Sequence, residues 1–360
     1  MGFLSFFKKK KSLINDNSFG KEAEFVVESR KKNIGLKSSL MEYAALKKGL
    51  EVARASRLLI FVKTKKGMKL PFSQMNGIHS SFVGRDMCNR KQITRKLLKD
   101  QGLNVVDSKV FSKKQYQEAL KFAYQIGFPV VLKPTTLSRG RGVTTNIKDE
   151  NEFYNAWRDA ISAYRKSRKI KDVLVEKHFN GFDYRVFVIE DRVISVTLRK
   201  QANVIGDGTS TVLELIQQKN KERKLNPYLK AYPIPEDKSK LDLLVRQNLK
   251  LDYVPKKNED VILRSASNIS AGGDSIDVTD KMHKDFKKLA IRAINSVPGI
   301  SYAGVDFIAQ DITKKPNNTN YIVSEIEFSP APLAQFPYKG ESRDLAGAIL
   351  DYYLKVYNKN

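Results

Sequence analysis

The side chains best suited to chemistry in this chain are a lysine at position 133, a Glu-Lys pair at 176 and 177, and carboxylates at 306, 325 and 327. Glu325 and Glu327 stand two apart in the strand-like run SEIEF, so their side chains point to one face. Two neighbouring carboxylates repel unless a cation or a proton lies between them. Asp306, in AGVDF, offers a third oxygen ligand. Magnesium binds oxygen and usually takes one or two carboxylates, with phosphates filling other positions. A pair of solvent-facing glutamates is the blander reading, and the apolar surroundings of IEFSP weigh against it.

Lys133 closes the apolar run VVLKP. A lone strand lysine is ordinarily a surface residue. Ahead of a flap containing Ser138, Arg139, Gly140, Arg141 and Gly142 it becomes a candidate phosphate ligand. The two glycines let backbone approach phosphate oxygens, and the two arginines can close over them. Glu176, Lys177 and Phe179 end a second strand ahead of the turn Asn180-Gly181. They offer the edge and the apolar face that an adenine needs, with Asp183 placed for ribose hydroxyls. Taken alone, a strand-to-turn boundary with solvated charges explains the same residues. Arg264 leads RSASNISAGGDSID, where backbone amides and Asn268 can donate to a developing anion. An ordinary Ser/Gly loop competes with that reading. His178 and His283 lack metal-ligand spacing, and no Ser/His/Asp or Cys/His grouping points to a nucleophile. Together these residues make a magnesium–nucleotide clamp, and an ATP-dependent enzyme, the leading expectation.

Such residues need strands to hold them. FPVVLKP reads as a buried strand and VTTNI resumes β character, so the glycines of the flap sit between two strands. In a P-loop or a dinucleotide-binding turn the glycines open a helix instead, and the Gly-Lys-Ser/Thr signature is absent. VLVEKHF, YRVFVIEDRVISVTLRK, YAGVDFIAQD and NYIVSEIEF read as further strands, as do LNVVDSKVF and VILRSAS. IFVKTKKGMKLPF reads as a hairpin turning at Lys66-Gly67. Helices are expected through NRKQITRKLLKDQ, stopping before Gly102, and through KKQYQEALKFAYQI, capped by Ser112 and ending at Gly127. Others are expected in NEFYNAWRDAISAYRKS, from Thr211 through TVLELIQQKNKER, around DLLVRQNL, in HKDFKKLAIRAINSV, and in SRDLAGAILDYYLKVY. Mixed strands and helices throughout imply an α+β architecture in several lobes.

Composition bounds the rest. The chain has 360 residues, 41% of them hydrophobic, enough for one large or two to three modest cores. One cysteine, Cys88, excludes an internal disulfide. No apolar run approaches the roughly 20 residues of a spanning helix. The net charge of +26 suits an acidic partner, yet no element that docks into a nucleic-acid groove is visible, so nucleic acid ranks last. A lysine-rich surface serving solubility ranks first, and an acidic polymeric substrate second. The opening MGFLSFFKKKKSL is read as a solvated tail, with weak contact to an anionic membrane surface as the alternative.

The four strings VVLKPTTLSRGRGV, VLVEKHFNG, AGVDF and SEIEFSP, in this order, resemble the ATP-grasp superfamily. Within it the chain is most similar to the ATP-grasp module of cyanophycin synthetase and of the bifunctional glutamate–cysteine ligase/glutathione synthetase. The resemblance runs from about Arg90 to the end and is carried by ANVIGDGTSTVLELIQQKN, LRSASNISAGGDSIDVTD, AGVDFIAQDI and SPAPLAQFPYKGESR. It implies two α+β lobes clamping a nucleotide, with divisions at 1–20 (tail), 21–89 (a short preceding α/β domain), 90–175 (N-lobe) and 176–360 (C-lobe). It assigns Lys91 and Lys133 to phosphates, the 138–142 flap above them, Glu176, Lys177 and Phe179 to adenine, and Asp183 to ribose. Asp306, Glu325 and Glu327 would hold two magnesium ions, with manganese as an alternative. Arg185 and Arg264 would stabilise the transferred phosphoryl group, beside Asn268. The implied chemistry is a carboxylate activated by ATP to an acyl phosphate and captured by an amine as an amide, in the cytoplasm. A homo-oligomer is compatible with it.

Two departures stand out. The family usually has Asn where Glu327 stands, which adds a negative charge to the metal site. Neither the glutamate–cysteine ligase domain nor the Mur-ligase-like domain of the larger relatives is present, so one activation step is expected. A ligase acting on an acidic surface polymer and a non-catalytic ATP-binding interaction protein are the alternatives.

Overall fold

The longest apolar runs of the sequence become strands covered on both faces, and the charged residues interrupting them collect on one side of one sheet. This is seen in a computed structural model, which describes residues 18–135, 137, 141–164 and 171–358. The N-terminal tail, Ser138, Arg139 and Gly140 of the flap, and most of the basic RKSRKIK cluster lie outside the described residues.

Two helices, α1 (Ser18–Lys31) and α2 (Leu36–Lys47), lead into strands β1 (Glu51–Arg54), β2 (Leu59–Lys63) and β3 (Lys69–Ser73). The three strands form an antiparallel sheet in sequence order, and the expected hairpin at Lys66-Gly67 joins the last two. Helices α3 (Phe82–Asn89) and α4 (Lys91–Asp100) follow. Next come β4 (Ser108–Ser112), α5 (Tyr116–Ile126), β5 (Val130–Pro134), β6 (Thr144–Ile147), α6 (Glu150–Ser162) and β7 (Asp172–Lys177). Their four strands make an antiparallel sheet of order β4-β7-β5-β6. One face carries Val130, Leu132, Val173 and Val175 against Phe153 and Trp157 of α6 and Ala119 and Ala123 of α5. By strand alternation, Lys133 and Glu176 point from the other face.

The third unit is built from β8 (Phe182–Ile189), β9 (Arg192–Lys200), β10 (Asn203–Ile205), α7 (Val212–Leu225), α8 (Asp242–Arg246), β11 (Asp260–Ile262) and β12 (Asp274–Asp277). It is completed by α9 (Lys284–Asn295), β13 (Tyr302–Ala309), β14 (Tyr321–Glu327) and α10 (Leu345–Asn358). A five-stranded antiparallel sheet of order β12-β9-β8-β13-β14 is its centre. On one face Tyr184, Val186, Val305 and Phe307 pack against Phe286, Ala290, Ala293 and Ile294, the apolar stripe of α9. On the other, Phe187, Ile189 and Tyr302 share a core with α10 and with Val26, Leu40, Met41, Ile60 and Phe72 of the N-terminal segment. Helix α4 contributes Leu98 to the α9-side core. Strands β10 and β11 with α7 and α8 enclose a smaller core of their own, which includes Val204, Ile216, Leu244 and Val261. This mixed helix and sheet content is the α+β architecture expected.

Three local expectations differ from the structure. Strand β4 begins at Ser108, not Leu103, because the Asn104 carbonyl accepts a hydrogen bond from the Val323 amide of β14 and draws the segment to the other sheet. Ser112 does not cap α5: it ends β4, and its amide donates to the Gln115 side chain at 2.9 Å. Of VILRSAS only the first two residues lie in a strand, β11 (Asp260–Ile262). Beyond it the Ser265 amide donates to the Asp242 carboxylate, which turns the chain away.

Candidate active site

Register across the five-stranded sheet determines which charges meet. Asp306 of β13 lies opposite Arg185 of β8 on one side and Glu325 of β14 on the other. Asp183 of β8 lies opposite Arg199 of β9. Residues directly opposite in an antiparallel ladder share a face, so Asp183, Arg185, Arg199, Asp306, Glu325 and Glu327 form one field of charge. A β-bulge between Asp306 and Phe307 shifts the pairing with β14 by one residue. Bulges re-aim side chains beside functional sites. Gly304 is the close-approach position: a Cβ there would lie 3.2 Å from Arg185 Cδ and 3.1 Å from Pro330 Cβ.

Arg185 donates from Nε and Nη2 to the two oxygens of Asp306, each at 2.8 Å, and Arg199 Nη2 donates to Asp306 Oδ2 at 2.8 Å. Asp306 is buried and committed to two guanidinium groups. Glu325 accepts from Lys91 Nζ at 2.5 Å, and that lysine holds its carboxyl well below the usual carboxylate range, against the opposing effect of burial. The nearest cation to Glu327 is Arg185 Nη2 at 4.0 Å, and the Glu327 side chain is 44% exposed. Partial desolvation raises its pKa; Arg185 opposes this, while Glu325 and Asp306 add to it.

The four-stranded sheet faces this field with its own charges. Glu176 is buried and pairs with both Lys133 and Arg95. Burial alone would raise its pKa, but the two cations win and hold it at about 2. Lys133 also helps to hold the Glu325 carboxyl low, so charges of the two sheets act on one another. Arg95 stands four residues after Lys91 on α4, one helical turn along the same face. Its Nε and Nη1 are buried with no hydrogen-bond partner in the protein. Buried donors are normally satisfied, so these match an anionic ligand. Arg264 Nε is likewise buried and unpartnered, with Asp242 4.0 Å away.

Other expected residues are placed differently. Lys177 Nζ donates to the carbonyls of Gly127 and Phe128, at 2.8 and 3.1 Å, so its side chain ties down the end of α5. Asp183 accepts from Arg199 Nε at 3.1 Å and from Ser267 Oγ at 2.5 Å, so its carboxylate is engaged within the protein. Phe179 is half-buried in the loop after β7. Arg141 is exposed. Gly142 has φ +68°, and a Cβ there would sit 2.7 Å from Ala163 Cβ and 2.9 Å from Pro134 Cγ. Its glycine is therefore required by packing of the flap base against the residue that follows α6. Asn268 precedes a short 3-10 turn, and its carbonyl accepts from the amides of Ala271 and Gly273. The glycines do sit between two antiparallel strands, β5 and β6.

Among the described residues no three acidic, histidine or thiol groups converge as a ready cage for a metal ion. Glu325 and Glu327 nevertheless supply hard oxygen donors on one face, the chemistry magnesium takes when phosphates complete its shell. Cys88 is buried, and burial pushes its thiol up to about 12, with Glu327 adding to the shift. It is therefore an inert thiol. Sequence reasoning missed Arg95 and Arg199. The spacing of four from Lys91 signals the first; the second emerges only from the register of β8 with β9.

Residues 90–212 match the family described as the carbamoyl-phosphate synthase L chain, ATP binding domain. The chain is 32% identical over 338 residues to the glutathione biosynthesis bifunctional protein of Mannheimia succiniciproducens, covering 88% of this chain and 42% of that protein. It is 34% identical over 284 residues to cyanophycin synthetase of Synechocystis sp., covering 76% and 31%. A bifunctional glutathione synthetase from Pasteurella multocida has a similar solved structure, with TM-score 0.66, 29% identity, and coverage of 90% of this chain and 44% of that one. The chain thus spans less than half the length of these relatives. Among the described residues no helix is long and apolar enough to cross a membrane.

Proposed function

The chain carries an ATP-grasp domain related to those of bifunctional glutathione synthetases and cyanophycin synthetases, and from that premise we propose that it is a carbon–nitrogen ligase driven by ATP. One observation supports this most. Lys91, Arg95 and Lys133 are gathered against Glu176 and Glu325, where two sheets face each other. That is a dense array of paired cations and carboxylates, suited to positioning and to neutralising charge.

In the proposed reaction a substrate carboxylate oxygen attacks the γ-phosphorus of ATP and ADP leaves, giving an acyl phosphate. A deprotonated amine nitrogen then attacks the acyl carbon, the amide forms, and inorganic phosphate carries away the carboxylate oxygen. Lys91 and Lys133, with Arg95, would hold phosphate oxygens, and the segment 138–142 would cover them. Glu325 and Glu327, with the Asp306 carboxylate behind them, would hold magnesium, one ion or two. Magnesium supplies charge neutralisation between the phosphates when bound. Arg185 and Arg264 would stabilise the transferring phosphoryl group, beside Asn268. Each cation is already fixed by an ion pair or by burial, so positioning and electrostatics provide the catalysis. The strand end at Glu176 to Phe179 would seat the adenine, with Asp183 near the ribose. The net charge of +26 favours an acidic acceptor, a polymer included.

The site is tested by Lys133→Ala and Glu325→Gln in the full chain. Each is expected to lower ADP formation by roughly 10²-fold or more, with the far-UV spectrum and a cooperative melt retained. Turnover at the parent rate in either variant would refute the assignment.

A further inference from the structure

Each carboxylate of the proposed metal face has a protein cation assigned to it. Asp306 has Arg185 and Arg199, and Glu325 has Lys91. For Glu327 the nearest is Arg185, which at 4.0 Å is already spent on Asp306. The remaining positive charge comes from a distant part of the chain. Lys37, the second residue of α2, reaches across to the segment that follows β14, and its Nζ donates to the Ser329 carbonyl at 2.6 Å and to Ser329 Oγ at 3.0 Å. From the same N-terminal segment, Asn76 Nδ2 donates to Ser329 Oγ at 2.9 Å. Glu327 lies two residues before this anchored serine. The N-terminal segment reaches it because it packs on the same sheet face, through the core shared with Phe187, Tyr302 and α10. Burial pushes the Lys37 pKa down to about 8, and Glu327 is the chief charge resisting that fall. The hydrogen bonds to Ser329 hold the Lys37 ammonium against the chain two residues from Glu327, in partly desolvated space where charges couple more strongly than in water.

We infer that Lys37 is a positioning and counter-charge residue for Glu327, lent to the nucleotide site by the N-terminal segment. With Lys37 in place, all three carboxylates are balanced by protein cations. A bare divalent cation then gains little by binding the nucleotide-free protein, and metal enters together with the phosphates. The inference rests on the reading that Glu325 and Glu327 are metal ligands.

The test is Mn²⁺ affinity of the nucleotide-free full-length protein, by electron paramagnetic resonance of the free ion. It compares the parent with Lys37→Met, Lys37→Arg, Glu327→Gln and the double variant Lys37→Met/Glu327→Gln, with melting curves alongside. Lys37→Met is expected to tighten Mn²⁺ about five- to tenfold, since the charge that repels the ion is gone. Lys37→Arg should stay within about twofold of the parent, because the charge is retained. In the Glu327→Gln background, Lys37→Met should shift affinity less than about twofold. Equal shifts in both backgrounds, or none in either, would overturn the inference. If Glu325→Gln also leaves Mn²⁺ affinity unchanged in the presence of a non-hydrolysable ATP analogue, the metal reading falls and the inference with it. A normal response to Glu325→Gln with an additive cycle removes the inference alone. Should Lys37→Met melt before the measurement, Lys37→Gln keeps a donor for Ser329 and carries the same expectation.

Discussion

At the scale of single residues, the types of the site residues were legible and their partners were not. A lysine at a strand end and glutamates two apart are residue types suited to phosphate and metal, and that much can be read from sequence alone. That Lys91 binds Glu325, or that Arg199 binds Asp306, depends on contacts across more than a hundred residues of chain. Glu22 makes the same point away from the site. It looks like an ordinary helix-surface acid, yet it is buried and accepts from Gln335 Nε2 at 2.9 Å, with the acidic Asp344 close by. Burial first, and Asp344 further down the order of causes, raise its pKa from 4.5 to about 7, against the Gln335 hydrogen bond. The folded chain therefore holds a proton at Glu22 that the unfolded chain has released between about pH 4.5 and 7. Stability falls as pH rises through that window, by about 2–3 kcal/mol, and the loss is complete above it. Glu22→Gln is expected to match the parent near pH 4.5 and to be about 2 kcal/mol more stable at pH 8. Denaturant unfolding across the range checks this, and parallel curves for the two proteins would contradict it.

At the scale of elements, capping chemistry was readable where it was local. Thr211 accepts from the Glu214 amide at 3.2 Å, and the Glu214 carboxylate accepts from the Thr211 amide at 2.8 Å, closing a capping box at the start of α7. The motif T-x-x-E contains all the atoms involved, so sequence suffices. Ser112 looked equally suitable, yet its backbone was needed in the ladder with Asp172 of β7, and α5 began four residues later. The segment 103–107 departs from its expected strand for a similar reason. Its composition suits a strand, but its partner is the bulged edge strand of the other sheet. Thr211→Ala is expected to cost about 1 kcal/mol and to lower Tm by about 2 °C. The rate of ADP formation at temperatures well below the melt should not change, since the cap bonds only the first turn of α7 and leaves the Lys219 and Arg223 ion pairs to Asp274 in place. A loss of rate without a loss of stability would show that α7 acts on the site directly.

At the scale of the whole molecule, the resemblance to ATP-grasp proteins implied the α+β fold. It did not show how the segment ahead of Arg90 joins in. Residues 26–75 contribute to a core with α10 and the five-stranded sheet, so this segment and α10 cover the same sheet face. They bring Lys37 and Asn76 to Ser329. Sequence patterns could mark those residues as helical or polar, but not as neighbours of Glu327, because that proximity depends on how distant helices cross a sheet. The electrostatic balance of the site is likewise a property of the assembled molecule. Individually the carboxylates repel; together with Lys37, Lys91, Arg95, Lys133, Arg185 and Arg199 they form an array in which the charges offset one another.

The central claim is that this array couples ATP cleavage to amide formation. It is tested most directly by ADP release from magnesium-ATP, with a panel of small and peptide-like carboxylates, and an acidic polymer, crossed against the standard amino acids, followed by product masses. The account predicts that ADP is released in repeated turnovers only when a matching carboxylate and amine are both present, and that the product mass equals their sum less one water. ADP release indifferent to both, or tight ATP binding with no turnover for any pairing, would contradict it.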